Sequence, residues 1–143
     1  MKKLLVVFFV VLSFGAMSQQ TSTSIFKASY TISDVSQEDM FLSAYDWTST
    51  FFTGNGNTLV SQKHSENKLE GNATLVMGTE SVNMDYVISF QANTCTVIFT
   101  PVGVPSAAMQ QYLNGLLSRF ERILNTPLSA DRRAELKSYQ HTK

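Results

Sequence analysis

Between Phe26 and Ile32 every second residue is apolar. Phe26, Ala28, Tyr30 and Ile32 face one way, and Lys27, Ser29 and Thr31 the other, which is the period of a half-buried strand. The period then changes to that of a helix. Met40, Phe41, Ala44, Trp47, Thr48, Phe51 and Phe52 fall on one stripe, with Ser43, Asp46, Ser49 and Thr50 opposite. Ser36 is placed to cap this helix, and Glu38 and Asp39 in its first turn suit the positive end of the helix dipole. Val35 and Met40 have the spacing of a hydrophobic staple. Gly54-Asn55-Gly56-Asn57 ends the helix and turns the chain.

Period two returns after that turn. Thr58 to Ser65 and Leu69 to Gly78 read as strands joined by the polar turn Glu66-Asn67-Lys68. Val82 to Ala92 is the longest strand, with Val82, Met84, Tyr86, Ile88 and Phe90 inward and Asn83, Asp85, Ser89 and Gln91 outward. Asn93 turns the chain into Thr94 to Thr100, whose Cys95, Val97 and Phe99 share the inner face. Pro101 and Pro105 bracket a break. Ser106 caps a second helix with the stripe Met109, Tyr112, Leu113, Leu116, Leu117, Phe120, Ile123 and Leu124. Asn125-Thr126-Pro127 ends it, and Ser129 is placed to cap a short third helix from Ala130 to Tyr139.

The order is β-α-β-β-β-β-α. Strands joined by short turns pair antiparallel, and a sheet of about five strands with one apolar face needs cover. Two apolar helix stripes supply it. The expected class is therefore α+β: an antiparallel sheet with two helices on one face. The other face, carrying Lys27, Ser29, Thr31, Asp85, Ser89, Gln91, Thr94, Thr96 and Thr100, is polar enough to stay solvated.

The first residues belong to a different pattern. Lys2 and Lys3 precede an unbroken apolar run from Leu4 to Leu12, and a small-residue exit follows. This is the anatomy of a secretory signal peptide. The run is shorter than the about 20 apolar residues a membrane span takes. Ala16 and Ser18 stand at minus three and minus one for cleavage after Ser18. The expected organisation is a signal peptide at 1–18, a flexible polar start at 19–24, one α+β domain at 25–125, and a short helix and tail at 126–143. Localisation follows as periplasmic or extracellular, with no stable membrane insertion after cleavage.

Charge and cysteine content narrow the function. The chain holds 11 basic and 11 acidic residues, and losing Lys2 and Lys3 leaves it mildly acidic. Non-specific nucleic-acid binding rests on Lys and Arg pairing with phosphates, so nucleic acid is not an expected partner. Cys95 is the single cysteine, which excludes an intrachain disulfide. Its apolar surroundings read as a buried, inert thiol.

The candidate chemistry is sparse. His64 and His141 are the two histidines, without a ligand spacing between them, so no metal site and no cofactor are expected. Gly54-Asn55-Gly56-Asn57 contains G-x-G but leads into a strand, so the helix-dipole half of a phosphate site is missing. There is no G-x-S-x-G elbow. Trp47, Phe51 and Phe52 suit a core facing the sheet better than an aromatic platform for a ligand. Arg119, Arg122, Arg132 and Arg133 interleave with Glu121, Asp131 and Glu135, as on a solvated helix face.

Tyr30, Asp34, Ser36-Gln37-Glu38-Asp39-Met40-Phe41, Ala44, Asp46-Trp47 and Phe51-Phe52 resemble the first strand and helix of a bacterial exported family. That family is catalogued as a domain of unknown function with a TBP-like fold. Val60-Ser61-Gln62, Leu69-Glu70-Gly71-Asn72 and the hairpin from Tyr86 to Val102 are similar in kind. The resemblance implies a TBP-like, helix-grip arrangement and no assigned activity. DNA binding does not transfer with the fold name.

The leading expectation is a small, non-catalytic binding or interaction module of the cell envelope. Its contact surface would be the open sheet face (Lys27, Ser29, Thr31, Asp85, Ser89, Gln91, Thr96 and Thr100), and its partner an envelope protein or glycan. The alternative is a small envelope-polymer hydrolase, which needs His64, Glu70 or Asp85 to converge in a pocket. A third reading places a partner on the outer side of the second helix around Gln111, Gly115 and Arg122. The sequence leaves the oligomeric state open.

Overall fold

The computed structural model of the chain describes residues 24–65 and 67–141. The expected signal peptide, residues 19–23 of the polar start, Glu66 of the predicted turn and the side chain of His141 lie outside the described residues. Among the described residues eight elements follow one another: β1 (Phe26–Thr31), α1 (Gln37–Phe51), β2 (Thr58–Ser65), β3 (Lys68–Met77), β4 (Glu80–Gln91), β5 (Thr94–Pro101), α2 (Ala107–Leu124) and α3 (Ala130–His141). The strands form one sheet in the order β1-β5-β4-β3-β2, antiparallel throughout.

This order puts β1 and β2 on opposite edges, so α1, which joins them, has to cross the whole sheet. Its 15 residues reach about 22 Å at the helical rise. Five paired strands span about 19 Å, so the helix matches the width it crosses. The caps are those the sequence offers: Ser36 Oγ accepts from the Asp39 N–H at 3.1 Å, and Ser106 Oγ from the Met109 N–H at 3.1 Å.

The inner face of the sheet carries Tyr30, Leu69, Ala73, Leu75, Met84, Tyr86, Ile88, Phe90, Cys95, Val97 and Phe99, all buried. Met109, Leu113, Leu116, Leu117, Phe120 and Leu124 of α2 close over it. Trp47 links the helices, its ring centroid 5.0 Å from that of Phe120 and 5.5 Å from that of Phe52. Phe52 in turn lies 4.9 Å from Tyr86 in the sheet. Tyr30 ties β1 to α2 by donating its hydroxyl to the Leu117 carbonyl at 2.5 Å.

Among the described residues a third helix, α3, packs against α1. Ser43, expected on the solvent side of α1, is 4% exposed, and Leu42, outside the predicted stripe, is fully buried. The reason is α3. Its Leu136 enters the core, and its cations pair with the acidic residues of α1: Lys137 with Glu38 at 3.0 Å, Arg133 with Asp39 at 2.8 Å and Arg132 with Asp46 at 2.5 Å. Arg132 and Arg133 are therefore inter-helix clamps instead of members of a solvated face. These side chains are part-exposed, so solvent and salt screen them. Arg132→Ala is expected to lower the melting temperature at low ionic strength, and by clearly less in about 1 M salt, where the Debye length is about 3 Å. A loss that is independent of salt would show that apolar contacts alone dock α3.

The Gly54–Asn57 segment is a turn. Asn55 and Gly56 take positive φ values of 56° and 82°. Asn57 is buried, donates its amide to the Phe51 carbonyl at 3.1 Å and accepts from the Val76 N–H at 2.9 Å. One side chain thus satisfies the end of α1 and a free strand group of β3.

Candidate functional site

The open face of the sheet is laid out by the register. One row across it reads Ser29, Thr96, Ser89, Lys68 and Ser65; another reads Lys27, Ile98, Val87, Glu70 and Lys63. Thr31 opposes Thr94, which opposes Gln91, and Thr100 opposes Asp85. The residues singled out from the sequence do share this face, with Ile98 and Val87 half-buried among them. Many of its polar groups serve one another. Ser29 and Thr96 share a 3.0 Å hydrogen bond, Ser61 donates to Asn72 at 2.6 Å, Thr74 to Asn83 at 2.9 Å, and Asn72 to Asp85. A hollow of about 280 Å³ lies at the β2–β3–β4 end, lined by Ser61, Lys63, Glu70, Asn72 and Asp85 among others.

The proposed catalytic trio does not converge. His64 pairs with Leu69, so it lies on the helix side, with its ring centroid 5.8 Å from Tyr45 and 6.1 Å from Phe41. Glu70 and Asp85 lie on the opposite side of the sheet. They are not cross-strand partners either: Glu70 opposes Val87, and Asp85 opposes Asn72. Lys68, 2.6 Å from Glu70, holds that carboxyl below its ordinary range. A general acid needs the opposite shift. Among the described residues no group of three or more His, Cys, Asp or Glu is arranged to hold a metal ion.

The cysteine is deep in the core. Cys95 is 0% exposed, and burial pushes its thiol up to about 12. Burial also raises Tyr30 to about 12. Between pH 9 and 12 an unfolded chain releases the Cys95 proton while the folded chain keeps it, so stability falls as pH rises through that window. At neutral pH, Cys95 is expected to react with a thiol reagent only as fast as the domain opens. Labelling as rapid as that of a free thiol, without denaturant, would contradict this burial.

The concavity lies elsewhere. On α1, Ser43, Asp46, Trp47 and Thr50 form one stripe at helical spacing. On α2, Arg119, Arg122 and Ile123, with Thr126 just past its end, form another. The two stripes border a cleft of about 510 Å³, closed at one end by Pro127 and Leu128 of the α2–α3 connection. That volume falls in the range of small-molecule sites, roughly 300–1,000 Å³. Its apolar wall is Trp47, Ile123, Pro127 and Leu128. Asp46 on the lining is engaged by Arg132, which also pairs with Glu135. Neither Arg119 nor Arg122 is ion-paired among the described residues; Arg119 lies 5.9 Å from the Tyr112 ring.

Sequence reasoning placed Arg119 and Arg122 on a plain solvated face, and assigned Trp47 to the core alone. Trp47 does pack in the core, yet one part of it borders the cleft. The signal available was the pairing of an i, i+3, i+4, i+7 stripe on each helix, but only the crossing of the helices brings the two together. Around Gly115 the outer side of α2 is open, with nothing within 4 Å of where a Cβ would stand.

No family model matches the sequence, and no curated protein does. Solved structures are similar to this chain. A DUF4468 family protein from Bacteroides ovatus superposes with a TM-score of 0.55 at 9% identity, covering 73% of this chain and 88% of its own. A TBP-like protein from Parabacteroides distasonis gives a TM-score of 0.48 at 10% identity, covering 77% and 97%. The likeness is one of architecture. The chain is an α+β domain with a five-stranded antiparallel sheet, an architecture it shares with the Bacteroides ovatus protein. Among the described residues no helix is long and apolar enough to cross a membrane.

Proposed function

We propose that this chain is exported to the cell envelope and acts there as a non-catalytic binding module, with the cleft between α1 and α2 as its binding site. The observation that carries this reading is the cleft itself: ligand-sized, walled by an aromatic ring, and bordered by two cations that have no ion pair among the described residues. The separation of His64 from Glu70 and Asp85 by the thickness of the sheet argues against the hydrolase alternative. Two measurements test the proposal. Mass spectrometry of the protein from an envelope fraction is expected to find a chain that starts at Gln19. Small molecules from that fraction are expected to change Trp47 emission in the purified chain, and Thr126→Trp, which fills the cleft, is expected to block their retention in equilibrium dialysis. A cytosolic full-length chain contradicts export. Retention unaffected by Thr126→Trp contradicts the cleft.

One observation favours a second reading. The hollow on the open face is polar and rich in side-chain amides, hydroxyls and carboxylates, which suits a polyhydroxy ligand such as an envelope glycan. Asn72→Ala would then weaken binding of soluble glycan fragments, while Thr126→Trp would not.

A further inference from the structure

The lining of the cleft restricts what it can hold. Arg119 and Arg122 are exposed, one helical turn apart on α2, and neither has an anionic partner among the described residues. Guanidinium groups are planar donors that match a carboxylate in pairs of hydrogen bonds. Asp46 shares the lining, and because its partner Arg132 also serves Glu135 a net negative charge remains beside the cleft, which disfavours a dianionic head more than a monoanionic one. Ser43, a residue 4% exposed, adds a hydroxyl to the lining. Trp47 supplies the flat surface. Phe51 stacks on it at 5.0 Å with the planes 8° apart, which holds the indole in place. The volume of about 510 Å³ suits a ring with a short side chain and is short for a long lipid.

From this geometry we infer that the cleft binds a small organic monocarboxylate with a flat aromatic body, the ring against Trp47 and the carboxylate between Arg119 and Arg122. This rests on the cleft being the binding site. The aromatic part leaves water for an apolar wall, and the carboxylate places a charge where two cations lack one.

Trp47 is the chain's one tryptophan, so its emission reports on this cleft directly. The test titrates the purified chain with 3-phenylpropionate, the neutral 3-phenylpropanol and the dianionic phenyl phosphate. The carboxylate is expected to change Trp47 emission saturably, with the alcohol and the phosphate each at least about tenfold weaker, the size of one lost charge-assisted contact. Arg122→Gln, at an exposed position that the fold does not depend on, is expected to cost the carboxylate about tenfold and the alcohol nothing. Equal affinity for alcohol and carboxylate overturns the anion assignment and leaves an apolar cleft. Tighter binding of phenyl phosphate overturns the monocarboxylate assignment. No response to any probe overturns the inference, and the reading of the cleft as a site then fails only if the envelope small molecules are also indifferent to Thr126→Trp.

Discussion

Gly71→Ala is expected to destabilise the domain by about 3 kcal/mol or more, at or above the upper end of ordinary overpacking. Gly71 stands in β3 between Gln62 of β2 and Tyr86 of β4. A Cβ there would meet the Ser61 carbonyl oxygen and come within 2.6 Å and 2.8 Å of the Tyr86 hydroxyl oxygen and Cζ. Ser61 follows the bulge in β2, and a backbone carbonyl in a paired strand does not yield as a flexible side chain does. Tyr86 is also pinned, 1% exposed and stacked on Phe52. The glycine is thus the floor on which a buried aromatic ring lies. Urea denaturation of the variant measures the cost, and a loss under about 1 kcal/mol would mean that β2 is free to move aside. The Tyr86 hydroxyl lies beside the Gln62 amide, which donates to Thr48 at 2.6 Å. Burial accordingly raises its pKa above the ordinary tyrosine value.

Phe120→Ala is expected to cost about 3–5 kcal/mol, the range for deleting a buried ring. Phe120 is 0% exposed and sits where the layers meet, 5.0 Å from Trp47 on α1 and 6.1 Å from Tyr30 on β1, centroid to centroid. Small domains hold about 5–15 kcal/mol in total, so the loss is a large share. It is also expected to redshift Trp47 emission, because the indole loses its packed neighbour. A stable variant with unchanged emission would mean that the two helices do not depend on this contact.

The elements were legible because their apolar periods are clean. Val82, Met84, Tyr86, Ile88 and Phe90 alternate without a break, and β4 is the strand they form. The α2 stripe from Met109 to Leu124 is buried as its spacing implies, with Tyr112 and Ile123 half-buried at its border. Contacts between distant segments were not legible. Glu38, Asp39 and Asp46 pair with Lys137, Arg133 and Arg132 nearly a hundred residues later, and nothing local announces this. Ser43 is buried on the same side of α1, between Asp39 and Asp46, which α3 engages. The need for glycine at position 71 depends on a ring one strand away. The open face was readable as a set of residues, whereas the cleft was not, since it exists only where two stripes cross.

The most direct test of the account follows backbone amide shifts in the isotope-labelled chain as 3-phenylpropionate is added. Trp47, Thr50, Ile123 and Thr126 should move together and saturate, while Ser29, Ser89 and Thr96 across the sheet stay where they are. Movement confined to those three, with the helix junction silent, would contradict the assignment of recognition to the helical side.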